Sequence, residues 1–295
     1  MEWKSYNVKK LLNLLGEILN KTYEIDTGTR LDQKILDRIR NFVYEKSGIK
    51  LDSGKESLIR ARIGKRMRAL GITSHEDYLK QVIEDDNEEE VIHLLDAIST
   101  NVTSFFRGID HFHFLKSLIK EWAASGQIRF RIWSSACSSG EEPYSIAMTV
   151  LSASNSSSDI KILATDISTR VLEKALSGMY ESEKIEQIPN ELRDRYLEKV
   201  NSSSSYRIKP ILRNVILFRR LNLSDTPFPM QGPMDVIFCR NVMIYFDQNT
   251  RRKLLSEIHR LLKPHGYLFV GHAESLIGLA NGFRIVKPSV YIKET

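Results

Sequence analysis

Cysteine is scarce: Cys137 and Cys239 are the only two in 295 residues, too few for a disulfide framework and without the paired spacing that holds zinc. Both are expected to be reduced thiols. The seven histidines offer no metal set, because His111 and His113 are two apart and point away from each other on a helix; surface or core filling is their expected role. No apolar run is long enough to span a bilayer, and the opening MEWKSYNVKKLLNLLGEIL interrupts its apolar positions with Lys9, Lys10, Asn13 and Glu17 instead of forming a secretory leader. A cytoplasmic location without direct membrane insertion is the expectation. Also missing is the three-glycine phosphate fingerprint. In RIWSSACSSGEEP, residues 131–143, only Gly140 remains, and Glu141 and Glu142 stand where a pyrophosphate would need a positive helix end.

The chain is 42% hydrophobic and 27% charged, enough for one medium domain and something smaller. Its net charge of +6 is uneven: Lys55, Arg60, Arg62, Lys65, Arg66 and Arg68 crowd one segment, and Glu84, Asp85, Asp86, Glu88, Glu89 and Glu90 another. A local basic face, rather than a cationic body, follows. Residues 8–19 have helical apolar spacing and TYEIDTGTR reads as a linker, so 1–30 form an extension. Residues 31–104 read as a small helical domain, with Ile59, Ile63, Met67 and Leu70 as one core-facing stripe.

From 105 to 295 the runs FRIWS, IKILATD, VILFRRL, DVIFCRN and YLFVGH alternate with helical stretches at 141–152, 169–177 and 248–262. That rhythm predicts an α/β fold, a doubly wound, mostly parallel sheet covered on both faces. The alternation stalls at about 180–213, an excursion from the sheet, and FRIVKPSVYIKE supplies a last strand or a terminal hairpin.

In such sheets a ligand lies across the carboxyl ends of the strands. Ser134, Ser135, Ala136, Ser138, Ser139 and Gly140 leave room for close backbone approach, and the adjacent acids suit a cationic ligand without phosphate, such as S-adenosylmethionine. Acids in the first turn also stabilise a helix dipole by about 0.3–1 kcal/mol each with no ligand at all. Asp166 ends the second strand where a ribose is held; it or Ser168 also fits as a helix cap. Asn222 ends another strand, with an amide suited to an adenine edge or simply to a turn. Arg240 and Asn241 follow a very apolar strand, at the expected reaction centre.

These stretches resemble a known family, the chemotaxis receptor glutamate methyltransferases of the CheR type. The resemblance rests on NVTSFFR (101–107), SACSSGEEPYSIA (135–147), ATDIS (164–168), NL (222–223), FCRNVMIYF (238–246), LLKPHGYLFVGHAE (261–274) and KSGIKLDSGKESLIRARIGKRMRALG in the helical part. It implies a methyltransferase-like sheet domain binding S-adenosylmethionine, interrupted by a small β-subdomain, behind a helical substrate-recognition domain. Carried over residue by residue, it places Asn101, Thr103 and Arg107 over the cofactor and facing the acceptor. Glu141 or Glu142 takes the methionine end, Asp166 the ribose, Asn222 and Leu223 the adenine region, Arg240 and Asn241 the cofactor and target, and Tyr245 the reacting groups. Cys137 departs from the alanine or glycine of many relatives, and the first thirty residues lie outside the strongest match.

The implied reaction forms γ-glutamyl methyl esters on chemotaxis receptors, with S-adenosylhomocysteine as by-product. A glutamate of pKa about 4.3 is already ionised, so no general base is required. Arg107 is expected to orient the carboxylate, and Phe105, Phe106 and Tyr245 to exclude solvent. Arg62, Lys65, Arg66 and Arg68 are expected to face outward and steer acidic receptor helices. The protein is expected to act as a monomer without nucleic acid. The competing readings are a nucleic-acid methyltransferase, disfavoured because RNVMIY lacks a proline-rich turn, and a non-catalytic cofactor-binding signalling module.

Overall fold

The computed structural model describes residues 33–294 apart from 52, 53, 55, 85, 86, 100, 201–203 and 280. The predicted helix at 8–19 and Lys55 lie outside the described residues.

Helices α1 (Gln33–Ser47), α2 (Glu56–Leu70), α3 (His75–Leu79) and α4 (Glu88–Ile98) form the amino-terminal unit. Their apolar stripes meet: Leu36, Ile39 and Val43 pack with Ile59, Ile63, Met67, Leu94 and Leu95 in a core of their own. Asn87 caps α4 by accepting the N–H of Glu90 at 3.1 Å. Helix α5 (Ile109–Ala124) then leads into the sheet domain.

Strands β1 (Arg129–Ser134), β2 (Asp159–Asp166), β6 (Ile216–Arg220), β7 (Met234–Cys239), β8 (Leu262–Val270), β9 (Phe283–Lys287) and β10 (Val290–Lys293) form one sheet in the order β6-β2-β1-β7-β8-β10-β9. All pairings are parallel except those of β10, which runs antiparallel to β8 and β9. The two runs around Pro288 thus supply both a last strand and a terminal hairpin. Strand β7 is almost wholly buried, as an apolar strand covered on both faces must be. On one face Phe130, Ile132, Phe238 and Phe269 pack with α5 and with α6 (Glu141–Ala153). On the other, Trp133, Ile237 and Leu268 pack with α11 (Gln248–Leu261).

Helix α7 (Thr169–Ser177) starts at Ser168, whose hydroxyl accepts the N–H of Val171, and stops at Gly178 with φ of 62°, a conformation glycine adopts at no steric cost. Between α7 and β6 the chain forms a second sheet, β3 (Met179–Glu181), β4 (Leu197–Lys199) and β5 (Ser205–Ile208), in the order β3-β5-β4, with short helices α8 (Ser182–Ile185), α9 (Asn190–Tyr196) and α10 (Pro210–Arg213). After β5, Pro210, lacking an N–H, opens a helical turn. Among the described residues no helix is long and apolar enough to cross a membrane.

Candidate active site

Winding reverses at β1, which lies between β2 and β7, so the loops leaving these two inner edges diverge and open a crevice at the strands' carboxyl ends. The helical unit closes its other side. The resulting cavity measures about 1220 Å³ including space open to solvent, with Ser47, Leu58, Arg62 and Ile98 on one wall and Ser135, Asp166, Leu223 and Arg240 on the other.

Three non-glycine residues at or beside the crevice hold left-handed backbone: Phe106 (φ 51°), Ser138 (φ 48°) and Asn241 (φ 59°). Such conformations cost about 1–3 kcal/mol each and need support. Each N–H has a side-chain acceptor: Ser145 Oγ for Phe106 at 3.0 Å, Asp166 Oδ2 for Ser138 at 2.8 Å and Glu274 Oε2 for Asn241 at 2.9 Å. Glu274 does more, since its carboxylate also accepts the N–H of Gly271 at 2.6 Å and of Ile244 at 3.3 Å. One buried carboxylate thereby fixes the loop carrying Arg240, Asn241 and Tyr245. Gly271 is required beside it, as a Cβ there would lie 2.7 Å from Glu274 Oε2.

The two adjacent glutamates part company. Glu142 faces the cavity: Oε1 accepts from Ser134 Oγ at 2.7 Å and Oε2 from Arg240 Nη1 at 3.1 Å. Burial pushes the Glu142 carboxyl up from the ordinary carboxylate range, against the pull of the Arg240 charge and the Ser134 bond. Glu141, also expected at the methionine end, is fully buried on the opposite side, where it accepts from Lys184 Nζ and Ser139 Oγ and is not part of the cavity wall. Consecutive helical positions differ by about 100°, so two neighbouring side chains cannot share one face.

Asp166 lines the cavity and accepts the N–H groups of Ser138 and Ser168. Burial raises its carboxyl above the ordinary value, opposed by those two donors and reinforced by Asp96 nearby. Asn101, Thr103, Arg107, Asn222, Leu223, Asn241 and Tyr245 are all on the cavity wall. The Asn222 amide is largely committed elsewhere: it donates to Lys46 O at 2.8 Å and accepts from the Ser224 N–H and hydroxyl. Arg107 is exposed and donates to Val102 O at 3.0 Å, while its own carbonyl accepts from Arg240 Nη2.

The expected outward basic face of α2 needs correction. Arg62 turns into the crevice and donates to the carbonyls of Ile98 and Ser99 at the end of α4. Arg66 grips Glu90 through Nε and Nη2, and Glu90 also accepts from the buried Tyr78 hydroxyl at 3.0 Å. Lys65 and Arg68 alone of the four are exposed. The stripe reading counts apolar positions only, so it does not see α4 presenting Glu90 to the flank of α2. Phe105 and Phe106 also differ from expectation: they are core residues, packed edge-on to Tyr180 and Phe112, and are absent from the cavity wall.

Orphaned donors point to what the cavity holds. Asn101 Nδ2 and Arg240 Nε, on cavity-wall residues, are buried without a partner, a cost that a ligand acceptor relieves. The amino-acid end of S-adenosylmethionine carries both an anionic group for Asn101 and Arg240 and a cationic one for Glu142, so the residues present fit that cofactor. Burial raises the Cys137 and Cys239 thiols well above their ordinary range, which keeps them protonated and weakly nucleophilic.

Comparison with known proteins agrees with this chemistry. The family model described as CheR methyltransferase, SAM binding domain, matches residues 101–292, and that for the CheR methyltransferase all-alpha domain matches 34–99. The chemotaxis protein methyltransferase of Borreliella burgdorferi is 38% identical over 88% of this chain and 93% of its own length. That of Escherichia coli is 37% identical over 86% of this chain and 88% of its own. Residues 101–292 are thus an S-adenosylmethionine-binding domain, and the chain belongs to the CheR methyltransferase family.

Proposed function

We propose that this chain transfers a methyl group from S-adenosylmethionine to glutamate side chains of chemotaxis receptors, forming γ-glutamyl methyl esters in the cytoplasm. The observation that carries this reading is the character of the cavity wall. Among the described residues it contains no histidine or cysteine, its carboxylates Glu142 and Asp166 are both committed, and it presents Lys50, Arg62, Arg107 and Arg240. A site without a general base accepts a nucleophile that is already ionised, and a wall rich in cations favours a carboxylate.

When bound, S-adenosylmethionine supplies an electrophilic methyl on a sulfonium. Asn101 and Arg240 hold the carboxylate end, Glu142 balances the positive charge, Asp166 takes ribose hydroxyls and Leu223 flanks the base. Arg107 orients the incoming carboxylate through paired hydrogen bonds, and Tyr245 borders the reacting groups. Opposite charges cancel as the ester forms and no proton has to move, so holding the reactants in line and excluding water supply most of the acceleration. Lys65 and Arg68, exposed on α2, steer acidic receptor helices toward the mouth.

The test is incubation with methyl-labelled S-adenosylmethionine and membranes containing chemoreceptors. Label in the receptor band that mild base releases as methanol supports the reading. Base-stable label, or label in added nucleic acid, refutes it.

A further inference from the structure

Glu141 was left without a role once Glu142 took the cavity, and its surroundings supply one. Its side chain is fully buried, and its cation is Lys184 of α8, in the inserted subdomain. Glu141 Oε2 accepts from Ser139 Oγ at 2.7 Å, and Ser139 O in turn accepts from the Tyr180 hydroxyl of β3 at 2.6 Å. Between them sits Gly140, with φ of 95°; a Cβ there would lie 2.8 Å from the Tyr180 hydroxyl and 2.8 Å from Ala175 Cβ. Ser138, two residues before Gly140, points the other way, with its N–H on Asp166 and its hydroxyl on Asn101 O. The turn from Ser138 to Glu142 is therefore pressed between the cofactor cavity on one side and the inserted subdomain on the other.

We infer that Lys184 is a positioning residue for the cofactor turn, acting through Glu141, so that the inserted subdomain sets the affinity of the site without touching its ligand. A carboxylate with no access to water needs a partner, and removing that partner leaves a buried, uncompensated charge that is drawn toward solvent. Movement of Glu141 displaces Gly140 and Glu142 with it, because Gly140 is the N-cap of α6 and the two glutamates open its first turn. Glu142 then loses its register with Ser134 and Arg240. The inference concerns cofactor binding alone, so its outcome is independent of which acceptor is methylated.

The experiment is calorimetric titration of the full chain with S-adenosylhomocysteine, each variant first shown to be folded by its thermal melt. Lys184→Met should weaken binding roughly tenfold, within the range for residues that act on a site without contacting its ligand, whereas Lys184→Arg, which keeps the charge, should stay near wild type. Glu141→Gln should weaken binding by a smaller factor, roughly threefold, since no buried charge is left unpaired. The double variant Lys184→Met with Glu141→Gln should match Glu141→Gln alone. Wild-type affinity in Lys184→Met overturns the inference, as does a double variant whose loss is the product of the two single losses. If Lys184→Met does not fold, Glu141→Gln decides: wild-type affinity there overturns it equally.

Discussion

Glu142 Oε2 and Arg240 Nη1 lie 3.1 Å apart, joining the first turn of α6 to the end of β7 with side chains only 12% and 3% exposed. Removing one member of such a pair leaves the other buried and uncompensated, which is where most of the cost lies. Glu142→Gln should weaken S-adenosylmethionine binding by about tenfold or more, equivalent to about 1.4 kcal/mol or more. The loss should be smaller for S-adenosylhomocysteine, which lacks the sulfonium charge. Parallel titrations of both ligands measure the difference, and equal losses would place Glu142 away from that charge.

The same carboxyl predicts a pH dependence. Its folded pKa is raised by burial, so its contribution to stability is complete below the ordinary carboxylate range and is lost as pH rises through the raised folded value. Asp166 acts in the same direction. A cationic ligand prefers ionised Glu142, so binding should release protons and affinity should rise with pH just above the ordinary carboxylate range. Titrations in buffers of different ionisation enthalpy count those protons, and Glu142→Gln should reduce the number.

Arg107 is exposed at the mouth and spends one bond on Val102 O, leaving donors for an acceptor carboxylate. Arg107→Lys keeps the charge but loses the planar fork. It should lower kcat/KM for receptor methylation by roughly a hundredfold, or about 2.7 kcal/mol, with S-adenosylhomocysteine affinity nearly unchanged. An equal loss in both would assign Arg107 to the cofactor.

On α2 the basic residues should separate into two kinds. Lys65→Glu with Arg68→Glu should raise the receptor KM most at low salt and leave the melting temperature near wild type. Arg66→Glu should instead destabilise the fold by about 3–5 kcal/mol, because it leaves Glu90 buried against a second acid. Denaturant unfolding of the two variants distinguishes these roles.

Glu274 accepts three backbone N–H groups of the loops around Asn241. Glu274→Gln replaces one acceptor oxygen with a donor facing donors, so stability should fall by about 1–3 kcal/mol. Because the loop carries Asn241 and Tyr245, kcat should fall further than cofactor affinity does. Unchanged kcat in a destabilised protein would confine Glu274 to a structural role.

How much of this was visible in the chain itself depends on the range of the interaction. Helix α7 reads directly from residues 169–177, because an amphipathic stripe between Ser168 and Gly178 is a local signal. The crevice residues at strand ends were legible for a similar reason: Arg240 and Asn241 stand immediately after a run apolar enough to be central. What separates Glu141 from Glu142 is not local. It depends on Lys184 arriving from a subdomain 43 residues away, and Arg66 is likewise reassigned by Glu90 on another helix. Glu274 sits inside one of the matching motifs, yet its role depends on three N–H groups whose convergence only the fold produces. Ser138, read only for its small size, contributes an N–H and a hydroxyl to Asp166 and Asn101 O.

Peptide mass mapping of a receptor after incubation with the protein and S-adenosylmethionine tests the central claim most directly. The account predicts single methyl additions on glutamate side chains of the receptor's cytoplasmic helices, removed by mild base. Methyl groups found on nitrogen or sulfur, or an unmodified receptor with the cofactor bound and the chain folded, would contradict it.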